Sequence, residues 1–392
     1  MDVLNDHLGR ALAAIDARDE RRRLRSTVIA GGGRAIRGGR DLLDFSSNDY
    51  LGLSRHPSLI ERACEAARSD GAGATASRLV TGTSPLHLAV EERVASFKGT
   101  EAALIFASGW QANAAVLPAI LKAAPHAMIF ADRLIHASLH HGCAAAGVRQ
   151  TRFRHNDLDH LEELLGRTPA GTTPMILTES VFSMDGSRID MARLAEIARR
   201  HEAFVYLDEA HATGVLGRHG AGLSTEAPGA VDLIMGTFSK AMGGFGAYVA
   251  GSRLLCDYLV NTCGGFVFTT APPPAVLGAI DAALEIVPRM DTERARLADM
   301  ADHVRHELRS MEFDVGPSST QIVPILIGDA EDALAMSREL ETAGILAAAI
   351  RPPTVPPGTS RLRLALRSSH GTDDVERLLR TLHGARGGRV AA

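Results

Sequence analysis

The chain has 392 residues, with 42 basic and 46 acidic side chains and a formal net charge of -4. That length exceeds one ordinary core, so two domains are expected, and the slightly acidic balance gives no general attraction to nucleic acid or anionic membrane. Four cysteines without CxxC spacing (Cys64, Cys143, Cys256, Cys263), an acidic amphipathic N-terminus lacking an apolar signal core, and no membrane-length apolar run predict a cytoplasmic protein.

In chain order, residues 2–24 carry Leu8, Leu12 and Ile15 at helical spacing, and "RRRLR" at Arg21 to Arg25 reads as a solvated helix face. The glycines of "AGGGRAIRGGR" then break the pattern. Residues 1–50 are therefore an N-terminal helix and arm rather than a domain. A large domain follows over 51–275, where short β-forming runs alternate with amphipathic segments. Its strand candidates are "AALIFAS", "HAMIFAD", "PMILTES", "AFVYLDE", "DLIMGTF" and "GAYVAG". Between two of them Met191, Leu194, Ala195 and Ala198 fall at i, i+3, i+4 and i+7, the stripe of a helix packed on a sheet. This rhythm predicts an α/β fold, a mostly parallel sheet sandwiched by helices. The proline cluster "TTAPPPAV" ends it. Residues 276–392 read as a smaller C-terminal α+β domain: helices near 275–310, then "QIVPILIG" and "RLRLAL" separated by a helix around 330–343.

Chemistry is read from the residues that follow each strand, because ligands of open α/β sheets bind at the strands' carboxyl ends. Gly109 and Trp110 follow the first run and open a helix whose amides can hold a phosphate. His136, Ser183, and the pair Asp208 and His211 follow the next three, and "DLIMGTFSK" delivers Thr237, Ser239 and Lys240. Only three lysines occur in the chain, Lys98, Lys122 and Lys240, so one set among hydroxyls and glycines invites a chemical reading. A lysine amine attacks carbonyls once deprotonated, which an arginine does not do.

Taken singly, these residues have bland readings. Asp208 fits a helix cap, a lone histidine a satisfied structural side chain, Trp110 a core residue, Thr237 and Ser239 turn caps, and the glycines at 243, 244 and 246 tight packing. His136 and His140 at i, i+4 lack a third ligand at useful spacing, so no metal is expected. Together, however, the lysine, carboxylate, imidazoles, hydroxyls and helix N-terminus make up the inventory that pyridoxal 5′-phosphate requires for its aldehyde, ring nitrogen, ring face and phosphate.

The blocks "DFSSNDYLGL", "RLVTGTSPLHLAVEE", "TESVFSMDG", "DEAHATGVLG", "GTFSKAMGGFGAYVAGS", "FVFTTAPPP" and "RPPTVPPGTSRLRLAL" resemble, in order, those of the α-oxoamine synthase family of fold-type I pyridoxal-phosphate enzymes. The match runs from near residue 4 to near residue 380. The resemblance implies that Lys240 forms the Schiff base, Asp208 pairs with the ring nitrogen, His136 stacks on the ring, and His211 and Ser183 bond its phenolic oxygen. Gly109 and Trp110 would contribute backbone contacts, and Thr237 and Ser239 would lie near the phosphate. Thr269 or Thr270 would reach the phosphate of a second subunit, which implies a homodimer with composite sites. Arg25 and Thr354 would contact substrate, and Arg351 the amino acid's carboxylate. The implied reaction is decarboxylative condensation of L-alanine with pimeloyl-CoA in biotin biosynthesis, the alternative within the family being glycine with acetyl-CoA. Two readings from other classes fit less well. A DNA-binding regulator on this fold needs a helix-turn-helix ahead of "SSNDYLGL", and a Rossmann dehydrogenase needs GxGxxG after its first strand.

Overall fold

The computed structural model describes residues 2–18 and 20–390. Its strands, in chain order, are β1 (Val28–Gly31), β2 (Arg34–Arg37), β3 (Arg40–Asp44), β4 (Ala102–Phe106), β5 (Ala127–Asp132), β6 (Gln150–Phe153), β7 (Thr173–Glu179), β8 (Phe204–Asp208), β9 (Leu233–Thr237), β10 (Ala247–Gly251), β11 (Ile322–Gly328), β12 (Ile345–Leu346), β13 (Ala348–Ile350) and β14 (Ser360–Ala365). Two compact units interleave along the chain. The larger comprises Asp49–Ser183 and Ser187–Arg296; the smaller takes the described residues up to Asn48, Met184–Gly186 and those from Leu297 onward. Among the described residues no helix is long and apolar enough to cross a membrane.

The larger unit is built on a seven-stranded sheet of order β4-β10-β9-β8-β7-β5-β6. Neighbours from β9 to β6 are parallel, and β10 runs antiparallel to both β4 and β9. Every residue of β4, β9 and β10 is buried, as expected of a sheet covered on both faces. Phe106, Val116, Leu117, Leu139, Leu177, Tyr206 and Met235 belong to one continuous apolar core, each such side chain contributing about 1.5–3 kcal/mol by leaving water. The helix Met191–Arg200 buries Met191, Leu194, Ile197 and Ala198, and Asp190 caps it by accepting from the Arg193 N–H at 3.0 Å. The helix Pro274–Ile286 stays in this unit and lies against Pro57–Asp70, where Arg62 pairs with Asp281. The edge strand β6 was not expected from "QTRF": it is four residues long and buries only Phe153.

In the smaller unit the N-terminal helix runs Asp2–Asp16 and stops short of residue 24. Arg21 to Arg25 form no helix face. Their side chains take separate partners instead, Arg21 on Asp16 at 3.3 Å, Arg22 on Thr354 at 3.1 Å and Arg25 on Glu341. The glycine-broken arm is likewise not a loop. Gly32 and Gly33 (φ 55° and 78°) and Gly38 and Gly39 (φ 56° and 74°) are two-residue hairpin turns with both residues at positive φ, and they join β1, β2 and β3. β12 extends that sheet parallel to β3, and a second sheet has the antiparallel order β11-β14-β13. The helix Ala330–Thr342 begins where Asp329 accepts from the Glu331 and Asp332 N–H groups at 2.7 and 3.3 Å.

Candidate active site

Asp208 is the last residue of β8 and is 4 % exposed. Both of its oxygens have donors: the Ala210 N–H reaches Oδ1 at 2.9 Å, and Asn113 Nδ2 reaches Oδ2 at 2.9 Å. Asn113, fully buried on the helix Gly109–Ala123, accepts from the Tyr206 hydroxyl at 2.8 Å and gives its other Nδ2 proton to Ser138 Oγ at 3.0 Å. Ser138 in turn meets His136 Nδ1 at 2.7 Å, and its N–H lies 3.3 Å from the same nitrogen. An acceptor at Nδ1 places the His136 proton on Nε2, making the ring a neutral imidazole with its outer edge a donor. Desolvation lowers the His136 pKa, Lys240 and His140 push the same way, and Asp208 opposes them. One hydrogen-bonded chain thus fixes an anionic acceptor and a neutral ring together.

Lys240 lies three residues beyond β9, the parallel neighbour of β8, and is half-buried. The turn that presents it is tightly held: the Gly243 N–H donates to the Lys240 carbonyl at 2.9 Å and the Gly244 N–H to the Phe238 carbonyl at 2.8 Å. Gly243 sits at φ 68°, and a Cβ there would fall 2.5 Å from the Leu53 carbonyl carbon, so no larger residue fits. The buried Thr237 hydroxyl bonds the Gly246 carbonyl at 2.8 Å and Ser239 Oγ at 2.7 Å, which makes Thr237 a brace for this loop, while Ser239 is exposed.

Ser108 caps the helix Gly109–Ala123 by accepting from the Gln111 N–H at 3.1 Å. The Gly109 and Trp110 N–H groups ahead of it are among those an α-helix leaves for an outside acceptor. The Trp110 side chain is 49 % exposed and stands edge-on to His136, with ring centroids 6.0 Å apart. His211 is buried with Nδ1 2.7 Å from the Tyr50 hydroxyl, and Ser183 is half-buried beyond the end of β7. This donor set fits pyridoxal 5′-phosphate: a buried carboxylate with fixed oxygens for the ring nitrogen, an imidazole for the ring face, N–H and hydroxyl donors for the phosphate, and a lysine for the aldehyde.

The remaining candidates lie elsewhere. Thr269 is half-buried, and Thr270 forms an isolated antiparallel bridge with Ser77. Arg25, Arg351 and Thr354 belong to the smaller unit. There Arg25 grips Glu341 through two bonds of 2.8 and 2.5 Å, and this hydrogen bonding raises its pKa. Arg351 is half-buried, and the exposed Thr354 accepts from Arg22. Sequence reasoning missed Asn113, Ser138, Tyr206 and Tyr50. Asn113 had a visible signal, a single polar side chain in the apolar stretch "ANAAVLPAIL". Ser187, His155 and Asp132 adopt the order of a hydrolase triad, with 2.9 Å from Oγ to Nε2 and 3.1 Å from Nδ1 to the carboxylate. Ser187 is only 2 % exposed, however, so the set is a structural brace closed to substrates.

The family model for class I and II aminotransferases matches residues 40–382. A protein of Gluconacetobacter diazotrophicus named 8-amino-7-oxononanoate synthase is 58 % identical over 381 residues, 95 % of this chain and 96 % of its own length. Among solved structures, a serine palmitoyltransferase of S. paucimobilis with bound PLP and myriocin superposes with a TM-score of 0.89 at 27 % identity, covering 94 % of each chain. The 8-amino-7-oxononanoate synthase of Francisella tularensis superposes with a TM-score of 0.77 at 26 % identity, covering 89 % of this chain and 99 % of its own.

Proposed function

The chain belongs to the aminotransferase class I and II family, and from that premise we propose that it condenses L-alanine with pimeloyl-CoA to 8-amino-7-oxononanoate, CoA and carbon dioxide, a step of biotin biosynthesis. A relative of nearly equal length bears the name of that synthase. The observation that carries the reading is the placement of Lys240 after one strand and Asp208, with both oxygens fixed, at the end of its parallel neighbour.

The chemistry balances simply. The Cα–H and Cα–carboxylate bonds of alanine break, a bond from Cα to the acyl carbon forms as the C–S bond breaks, a new Cα–H bond takes the place of the lost carboxylate, and the CoA thiolate is protonated, so one proton is taken up overall. Pyridoxal 5′-phosphate supplies the electron sink that makes a carbanion at Cα accessible. Lys240 would hold that group covalently and, as a free amine, would serve as the general base for the Cα proton. Asp208, unable to turn because Asn113 and Ala210 hold both oxygens, would keep a proton on the ring nitrogen. His136, its Nδ1 held by Ser138, would stack over the ring. His211 and Ser183 serve the phenolic oxygen, and the Gly109 and Trp110 amides with Ser239 serve the phosphate, Thr237 bracing the loop. By the resemblance, Arg351 would take the substrate carboxylate, and Thr354 and Arg25 the acyl side; Arg25 is bonded to Glu341.

The proposal includes a homodimer in which Thr269 or Thr270 of each copy completes the other's phosphate site. It also includes a cytoplasmic setting, where the four free cysteines stay reduced. Purified protein offered L-alanine, glycine or L-serine, each with pimeloyl-, acetyl-, succinyl- or palmitoyl-CoA, tests the reading. L-alanine with pimeloyl-CoA is expected to give the highest kcat/KM, because remote acyl contacts orient the thioester in the transition state. A higher value for glycine with acetyl-CoA or L-serine with palmitoyl-CoA overturns the substrate assignment.

A further inference from the structure

The larger unit holds a buried acid that this chemistry does not use. Glu179 ends β7 directly beside Asp208 of β8 in the parallel register, so both side chains leave the same face of the sheet. It is 3 % exposed. Its Oε1 has no hydrogen-bond partner among the described residues. The titratable groups around it come from each neighbouring element: Asp208 on β8, Asp132 on β5 with its partner His155, Lys240 beyond β9, and the neutral His136 just ahead of Ala137–Ala145. An ionised carboxylate here would be a second buried anion directly beside Asp208, an arrangement that protonation relieves.

We propose that Glu179 carries its proton in the resting protein, a neutral acid beside the Asp208 carboxylate, and acts as a positioning residue that keeps a single negative charge at this edge of the sheet. Burial pushes the Glu179 pKa well above the carboxylate range, Asp208 and Asp132 add to that push, and Lys240 and the nearby His136 backbone oppose it. The consequence rests on the role of Asp208 given above. A lone anion matches one protonated ring nitrogen, whereas two ionised carboxylates would compete for the same proton. The neutral carboxyl also retains a hydrogen-bond donor that a carboxylate lacks.

The test is infrared difference spectroscopy on the full-length holoenzyme, wild type minus Glu179→Gln, at neutral pH in heavy water. A protonated-carboxyl carbonyl band is expected in the wild type, lost in Glu179→Gln, and lost reversibly in the wild type as pH rises. The titration of the wild type alone decides the matter if the variant misfolds. A carboxylate signal for Glu179 at neutral pH overturns the inference. Thermal unfolding gives an independent reading. A carboxyl whose folded pKa is raised makes stability fall as pH climbs from the ordinary glutamate range through the folded value, since the native state then holds the extra proton. That fall should flatten in Glu179→Gln, and an unchanged slope counts against the proposal. Neither readout involves turnover. Failed condensation with the band intact sinks the functional reading alone, and a missing band sinks this inference alone.

Discussion

Lys98 and Lys240 share one compact unit and one chemical group, yet their surroundings assign them different work. Lys98 ends the helix Pro85–Lys98 with no exposed side-chain surface and donates to the Glu209 carboxylate and the Ala221 carbonyl. Ser224 adds its N–H and O–H to Glu209, each at 2.9 Å. Desolvation pulls the Lys98 pKa down, but Glu209 and Tyr248 outweigh it and hold the ammonium above its ordinary value. Such a lysine is a structural cation. Lys240 is half-buried on a glycine-bounded turn beside the chain that fixes Asp208, and its charge is felt by His136 and Glu179. The adjacent acids divide the same way, Asp208 being held by neutral donors and Glu209 by an ammonium. Reactivity at this sheet edge therefore follows from surroundings, not from residue type: Lys98 is sealed against a buried carboxylate, whereas Lys240 is half-buried on a turn beyond a strand's end.

The comparison breaks first at Lys240. Lys240→Ala should lose turnover by roughly 10⁵-fold or more while still folding cooperatively, because the covalent anchor and the base vanish together. Borohydride reduction of the wild type should fix the cofactor on the peptide containing Lys240, and label recovered on Lys98 or Lys122 would reverse the two roles. Asp208→Asn comes next. An amide cannot hold the ring nitrogen protonated, so kcat should fall on the order of 10³-fold with the unfolding midpoint in urea nearly unmoved, and near-normal turnover contradicts the assignment.

Lys98→Met tests the other side of the contrast. It leaves Glu209 buried without its cation and should cost about 3–5 kcal/mol of stability by urea denaturation. Lys98→Met combined with Glu209→Leu should regain much of that loss, because an apolar pair has no charge to strand. A double variant as unstable as the single one would mean that packing, not charge pairing, gives Lys98 its place.

How far this contrast is legible in sequence depends on the residue. Lys240 could be found because lysine is scarce and the site lies at a strand's end, and the long buried runs of β4, β5 and β7 to β10 announce themselves through unbroken β-forming residues. Lys98 could not, since a cation at a helix C-terminus normally faces water, and only the packing of Glu209 and Ala221 around it encloses it. β6 was hidden by its polar edge position. The hairpins β1 to β3 were hidden because glycine pairs signal chain breaks and positive-φ turns alike. Glu179 and Asn113 become chemically meaningful only once β7, β8 and the helix Gly109–Ala123 are brought side by side.

Asn113 supplies the smallest and most discriminating test. Asn113→Ala keeps the Asp208 charge and its bond from Ala210, but removes the donor to Oδ2 and leaves the Tyr206 hydroxyl without its acceptor. A hydrogen bond to a charged group contributes about 1.5–3 kcal/mol, so turnover should fall roughly ten- to a hundredfold, less than for Asp208→Asn. If Asn113 acts by aiming the carboxylate, the loss should appear in kcat more than in KM, with a changed absorption spectrum of the bound cofactor. Tyr206→Phe, which removes only the last link of the chain, should show the same pattern more weakly. If Asn113 merely fills space, Asn113→Leu should restore turnover along with stability. Restored stability without restored turnover is the outcome expected of a side chain that works through Asp208.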